Sequence, residues 1–229
     1  MKSEDDSNYE IEILSPEINF SDLTFKIIIL GDSGVGKSCL AIQAIQNKFV
    51  DLYRATVGFE FMSFNLRINK IIIKLQIWDT CGQEVYKSLI TGLYRNSSLA
   101  IILYSITNKN SFQHIEAWLK ELKANSIKDI KTILVGNKCD LEKERKISFE
   151  EGENLKIRHK LDYFIETSAK TGDNTKNVFI EAAKILYKQY KGLKNLDDNS
   201  SIKEQSEESQ KLENDKKDNE IKKKKKKCC

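Results

Sequence analysis

Gly31-Asp32-Ser33-Gly34-Val35-Gly36-Lys37-Ser38 follows the pattern G-x-x-x-x-G-K-[ST], and its residue types are those needed to cradle a polyphosphate. Glycines let backbone N–H groups turn inward, and the helix that follows adds the positive end of its dipole. The Lys37 ammonium supplies a point charge to the β- and γ-phosphates, and the Ser38 hydroxyl is a ligand for Mg²⁺. A glycine-rich turn with no ligand is the plain alternative. The apolar strand pattern before the loop and the amphipathic helix after it favour phosphates. Alone, such a loop serves a small-molecule kinase, an ATPase or a GTPase equally well.

Two later motifs narrow the choice. Trp78-Asp79-Thr80-Cys81-Gly82-Gln83-Glu84 follows a strand pattern. An acid at a strand's end can organise Mg²⁺, a glycine leaves room beside the γ-phosphate, and Gln83 can orient water. Asn137-Lys138-Cys139-Asp140 follows another strand, where a carboxylate can accept two hydrogen bonds from a guanine edge that adenine does not offer in the same place. Taken singly this tetrapeptide is equally a polar turn. Its order after a phosphate loop makes guanine the expected base.

With these motifs the sequence resembles the Ras-like small GTPases and, within them, the Rab proteins of vesicle traffic. The resemblance covers residues 23–190 and rests on Gly31 to Ser38, Thr56-Val57-Gly58-Phe59-Glu60-Phe61, Lys74 to Glu84, Asn137 to Asp140, Glu166-Thr167-Ser168-Ala169-Lys170, and Cys228-Cys229. It implies that Thr56 binds Mg²⁺ and senses the γ-phosphate, that Asp79 holds Mg²⁺ through water, and that the Gly82 N–H meets the γ-phosphate. Phe49 would pack on the guanine, Asn137, Asp140 and Ser168 would line its site, Ala169 would donate to its oxygen, and Lys138 and Lys170 would flank it. Phe49 is otherwise a core residue ending the first helix. The resemblance further implies GTP and GDP as substrate and product, slow Mg²⁺-dependent hydrolysis with Gln83 as the catalytic residue, and lipidation of Cys228 and Cys229. Its partners would be an exchange factor, a GTPase-activating protein, effectors, a GDP-dissociation inhibitor and the prenylation machinery.

The sequence departs from the usual pattern at Cys81, Ser105 and Leu93, and across the stretch Val85 to Tyr94. Cys81 stands where alanine is usual, adding a sulfur to the turn that aims Gln83, and Ser105 replaces an aspartate. Leu93 replaces an aromatic that in Rab proteins forms an effector-facing triad with the counterparts of Phe61 and Trp78. A GTP-binding recruitment module with little or no hydrolysis is therefore the alternative function; Gln83 argues against it and Cys81 for it. A phosphate-loop kinase is a third class, but it lacks an identifiable lid of arginines and leaves Asn137, Asp140 and Ser168 to Lys170 without a task.

The elements that must position these residues alternate along residues 23–190, as in an α/β domain with a mainly parallel sheet. β-Branched and aromatic runs predict six strands: 25–30, 59–68, 71–78, 100–104, 132–135 and 163–166, the second and third joined as a hairpin around Asn69-Lys70. Helical spacing links Phe112, Ile115, Leu119 and Leu122 behind an N-cap at Ser111, and recurs in Val178, Phe179, Ala182, Ile185 and Leu186. Six strands and about five helices make one doubly wound phosphate-loop domain. Trp118, one position off its apolar stripe, reads as packing, His114 and His159 as surface or cap residues, and Cys39 and Cys139 as small hydrophobes.

Composition bounds the rest. The 229 residues, 40% hydrophobic and 31% charged, suffice for one core. The longest apolar runs, 71–77 and 99–106, fall short of the roughly 20 residues that span a bilayer. Met1-Lys2-Ser3-Glu4-Asp5-Asp6 lacks the basic and apolar regions of a secretory signal, and scattered cysteines fit a reducing compartment, so a cytosolic chain is expected. Residues 1–22 carry one basic and seven acidic side chains and read as a flexible acidic extension. Residues 191–221 are too poor in apolar side chains to order and read as a linker to 222–229, where Lys222 to Lys227 precede the two cysteines. The expected location is the cytoplasmic face of an intracellular membrane, cycling with the cytosol. Aromatic and basic residues lack the interleaving of a nucleic-acid binder.

Overall fold

The computed structural model describes residues 9–49, 59–80, 92–126 and 130–194. The chain divides into two units, Met1–Leu186 and Tyr187–Cys229; residues 187–194 of the second are helical. In the first unit, in chain order, come β1 (Ile11–Leu14), β2 (Leu23–Gly31), α1 (Lys37–Gln46), β3 (Phe59–Ile68), β4 (Ile71–Thr80), β5 (Leu99–Ser105), α2 (Lys109–Gln113), α3 (Ile115–Asn125), β6 (Lys131–Asn137), α4 (Phe149–His159), β7 (Tyr163–Thr167) and α5 (residues 175–186). The strands form one mixed sheet in the order β1-β3-β4-β2-β5-β6-β7. Pairs β1/β3 and β3/β4 are antiparallel and all others parallel.

The central strands are buried on both faces, which is why β2 and β5 read as unbroken aliphatic runs, Ile27-Ile28-Ile29-Leu30 and Leu99 to Leu103. Alternate side chains feed two cores. On one face Ile28, Leu30, Ala100, Ile102, Tyr104 and Leu134 pack with Ile115, Leu119 and Leu122 of α3 and Leu155 of α4. α1 packs on β2, β3 and β4, and Phe64 of β3 stacks on Phe179 of α5 with ring centroids 5.3 Å apart.

Three expectations are corrected. The sheet has seven strands, because Ile11–Leu14, inside the segment expected to be flexible, pairs antiparallel with Asn65–Ile68 of β3. Side-chain bonds fix it there: the Asn65 carboxamide donates to the carbonyls of Ser15 (3.0 Å) and Pro16 (3.3 Å), and Arg67 pairs with Glu12. Second, the cap of the predicted 112–122 helix is Asn108, whose Oδ1 accepts from the N–H groups of Asn110 and Ser111. Ser111 instead sits inside α2, accepting the Ser105 N–H at 3.1 Å, and His114 separates α2 from α3. Third, residues 191–194 are helical rather than linker. The hairpin at Asn69-Lys70 stands as expected, with Asn69 at φ 55.

Candidate functional site

The connection from β2 to α1 leaves the sheet where β2 is flanked by β4 on one side and β5 on the other, and this reversal opens a crevice at the strands' carboxyl ends. Gly31 to Ser38 occupy that position. Gly36 caps α1 at φ 100, and a Cβ there would lie 2.3 Å from Asn137 Nδ2. Gly31, at φ 135, faces the Leu103 carbonyl, which a Cβ would meet at 2.3 Å. Only glycine fits either place. Lys37 is 6% exposed, and its ammonium donates to the carbonyls of Gly31 and Asp32, both at 2.8 Å, so its charge is held inside the loop.

The end of β4 brings Asp79 to the start of α1. Its carboxylate is fully buried, and Oδ2 accepts from the Ser38 hydroxyl while Oδ1 has no partner. Burial pushes the carboxyl up to about 6, against the Ser38 hydrogen bond and the Lys37 charge, which pull it down. A buried carboxylate oxygen without a donor, beside a serine hydroxyl, suits a hard cation such as Mg²⁺.

Asn137, at the end of β6, ties three segments together. Its Nδ2 donates to the Val35 carbonyl in the phosphate loop at 2.8 Å, while Oδ1 accepts from the Thr167 hydroxyl (3.1 Å) and the Ala169 N–H (3.2 Å). Lys138 then turns with φ 70, and Cys139 N–H donates to the Thr167 carbonyl at 3.0 Å. Asp140 is exposed, with Oδ1 accepting from the Ser168 hydroxyl at 2.6 Å; Ser168 Oγ in turn accepts the Thr171 N–H at 3.1 Å. Ala169 is buried, Lys170 is exposed, and Phe49 is 39% exposed and so is not a core residue.

Phosphate loop, Asp79, Asn137 to Asp140 and Ser168 to Lys170 thus arise at the carboxyl ends of four parallel strands, as an order of motifs along a chain cannot show. The chain belongs to the Ras family. The sequence model of that family matches residues 26–188, which spans every one of these segments. It is a family of small GTPases that work as guanine-nucleotide switches. The mixed α/β domain is the Ras-family domain, extended here by β1 at the sheet edge.

Thr56, Gly82 and Gln83, together with Cys81, Cys228 and Cys229, lie outside the described residues. Leu93 is buried in the core cluster against which Trp78 packs, so it presents little surface. Trp78 instead meets Phe59 and Phe61, with ring centroids 5.1 and 5.4 Å away, and those two rings are about half exposed. Ser105 is buried and shares a hydrogen bond with Thr107 Oγ1 at 2.9 Å.

Sequence reasoning missed two constellations. Arg145 forks onto Glu166 at 2.7 and 2.8 Å and onto Glu142, joining the loop after β6 to the end of β7. Asp32 accepts from two side chains of the α2–α3 segment, His114 Nδ1 at 2.7 Å and Trp118 Nε1 at 2.9 Å. The four-residue spacing of His114 and Trp118, one helical turn, was the available signal.

Proposed function

We propose that this chain is a Rab-like small GTPase, a GTP/GDP switch of vesicle-mediated membrane traffic that hydrolyses GTP slowly with Mg²⁺. The observation that carries the nucleotide reading is the Asn137 bridge, which sets the phosphate loop and the Asp140–Ser168 pair in one site. Gly31 to Ser38 hold the phosphates, Lys37 stabilising their charge. Phe49, Asn137, Lys138, Asp140, Ser168, Ala169 and Lys170 serve the base. Ser38, Thr56 and, through water, Asp79 would hold Mg²⁺, and the ion would neutralise charge on the phosphates. Gln83 orients the attacking water and Gly82 contacts the γ-phosphate. Ordering the segments around Thr56 and Gly82 only with the triphosphate makes two states that partners can tell apart.

The Rab reading is supported by the wording Lys74 to Glu84, by the half-exposed aromatic face of Phe59 and Phe61 on Trp78, and by Cys228-Cys229 behind Lys222 to Lys227. Among the described residues no helix is long and apolar enough to cross a membrane. Two prenyl chains anchor stably where one is marginal, and each lysine adds up to roughly 1 kcal/mol at an anionic leaflet. Such an anchor, released by a dissociation inhibitor, would place the protein on the cytoplasmic face of an intracellular membrane in exchange with the cytosol, where an exchange factor, an activating protein and effectors act. Cys81, two positions before Gln83 in the sequence, favours as second reading a recruitment module with little hydrolysis.

Single-turnover assays with GTP and ATP side by side test this. GTP should be hydrolysed on the order of 10⁻⁴ s⁻¹ and ATP should not compete for the site. Equal binding of ATP would defeat the base assignment, and an unchanged rate in Gln83→Leu would defeat the catalytic one.

A further inference from the structure

Asp32 places a carboxylate inside a loop whose backbone is shaped to receive anions, where its charge opposes the phosphates unless it is held and partnered elsewhere. It is held. Each carboxylate oxygen has its own donor: Oδ2 pairs with His114 Nδ1 at 2.7 Å and Oδ1 accepts from Trp118 Nε1 at 2.9 Å. A carboxylate offers only acceptors, so His114 carries its proton on Nδ1. The residue is gripped from its other side as well, because the Asp32 carbonyl accepts from the Lys37 ammonium at 2.8 Å.

Both donors are themselves anchored. His114 joins α2 to α3 with its N–H on the Asn110 carbonyl (3.0 Å), and its own carbonyl accepts the Trp118 N–H (3.1 Å), which puts the two side chains one turn apart on one face. The Trp118 ring packs against the core cluster, and α3 lies on β2 and β5. A rigid helix therefore grips the first turn of the loop through charge-assisted hydrogen bonds.

We propose that His114 and Trp118 are positioning residues that act through Asp32 to hold the phosphate loop in its nucleotide-receiving form and so slow nucleotide release. This rests on the guanine-nucleotide reading above. The test is the release rate of methylanthraniloyl-GDP from the full chain. Trp118→Phe keeps the ring packing and removes only the indole N–H, and His114→Ala removes the second donor. Each should speed release roughly tenfold, the scale of a lost hydrogen bond to a charged group, while His114→Asn, whose Nδ2–H stands in for the imidazole Nδ1–H, should restore most of the loss. In an Asp32→Ala background neither substitution should change the rate. Equal acceleration with and without Asp32, or none with it, would overturn the proposal.

A second measurement needs no nucleotide. The indole N–H resonance that disappears in Trp118→Phe should lie downfield in the unmutated chain and move upfield in Asp32→Ala; an unmoved resonance overturns the contact itself. If the unmutated chain takes up no guanine nucleotide, the underlying function falls, whereas normal uptake with unchanged release in every variant overturns the clamp alone.

Discussion

The Asn137 carboxamide donates at 2.8 Å to the Val35 carbonyl, 102 positions earlier in the chain, and so locks the end of β6 to the phosphate loop. Its oxygen takes the Thr167 hydroxyl and the Ala169 N–H. All three partners sit in buried surroundings, and none can turn to water if the carboxamide goes. Asn137→Ala should therefore lower unfolding stability by about 2–4 kcal/mol, leaving one acceptor and two donors unmatched. Urea denaturation checks this, and GDP affinity should fall more than the stability alone requires. A loss under about 0.5 kcal/mol, the range of an ordinary surface change, would refute the bridge.

Asp140 and Ser168 make a second, more exposed pair, whose hydroxyl fixes the carboxylate's direction. Asp140→Ala should weaken GDP binding by roughly 2–4 kcal/mol, since the guanine donors lose a charged acceptor. Ser168→Ala leaves the carboxylate but not its aim, and a loss of about 1 kcal/mol is expected. Calorimetric titration of both variants with GDP and ADP measures this. Similar losses for the two nucleotides would place Asp140 outside the base site.

Burial lifts the Asp79 carboxyl from its ordinary 3.8 to about 6. A carboxyl raised by folding contributes stability that is complete below about pH 4 and is lost as pH rises through about 6. Nucleotide-free protein should thus be weaker at pH 7.5 than at pH 4.5, by about 2 kcal/mol from this group. Asp79→Asn should flatten that dependence. Urea midpoints for both chains between pH 4 and 8 decide the matter, and parallel curves would count against it. A cation beside the orphan oxygen lowers the carboxyl again, so Mg²⁺ with GDP should shrink the difference.

Removing Cys228 and Cys229 from the full chain should leave it in the soluble fraction of a cell, while replacing Lys222 to Lys227 should change salt sensitivity or membrane choice. Flotation on density gradients distinguishes the two variants. Membrane association that survives loss of both cysteines would refute the anchor.

The phosphate loop, the Asp79 strand end and the Asn137 to Asp140 turn were legible in the sequence because each is contiguous, and short backbone geometry dictates its residue types. Six of the seven strands, and the hairpin at Asn69, were legible because β-branched runs and turn residues act locally. Ile11–Leu14 was not, since four residues carry too little periodicity, and it is a strand only because β3 offers an open edge whose Asn65 and Arg67 fix it. Ser111 and Asn108 are both good caps; the chain path after β5 chose Asn108 by turning Ser111 inward to the Ser105 N–H. Arg145 carried no signal in the sequence, because its partner Glu166 stands 21 positions away and reaches the fork only through β7. His114 had no carboxylate at catalytic spacing in the sequence, and Trp118 looked like packing alone; their common partner, Asp32, stands 82 and 86 positions away. Local chemistry determined what this protein can bind. Parallel pairing of β2 with β5, which sets the start of α3 beside the phosphate loop, decided which side chains hold the site in shape, because such pairing joins segments that only a long crossover can bring together.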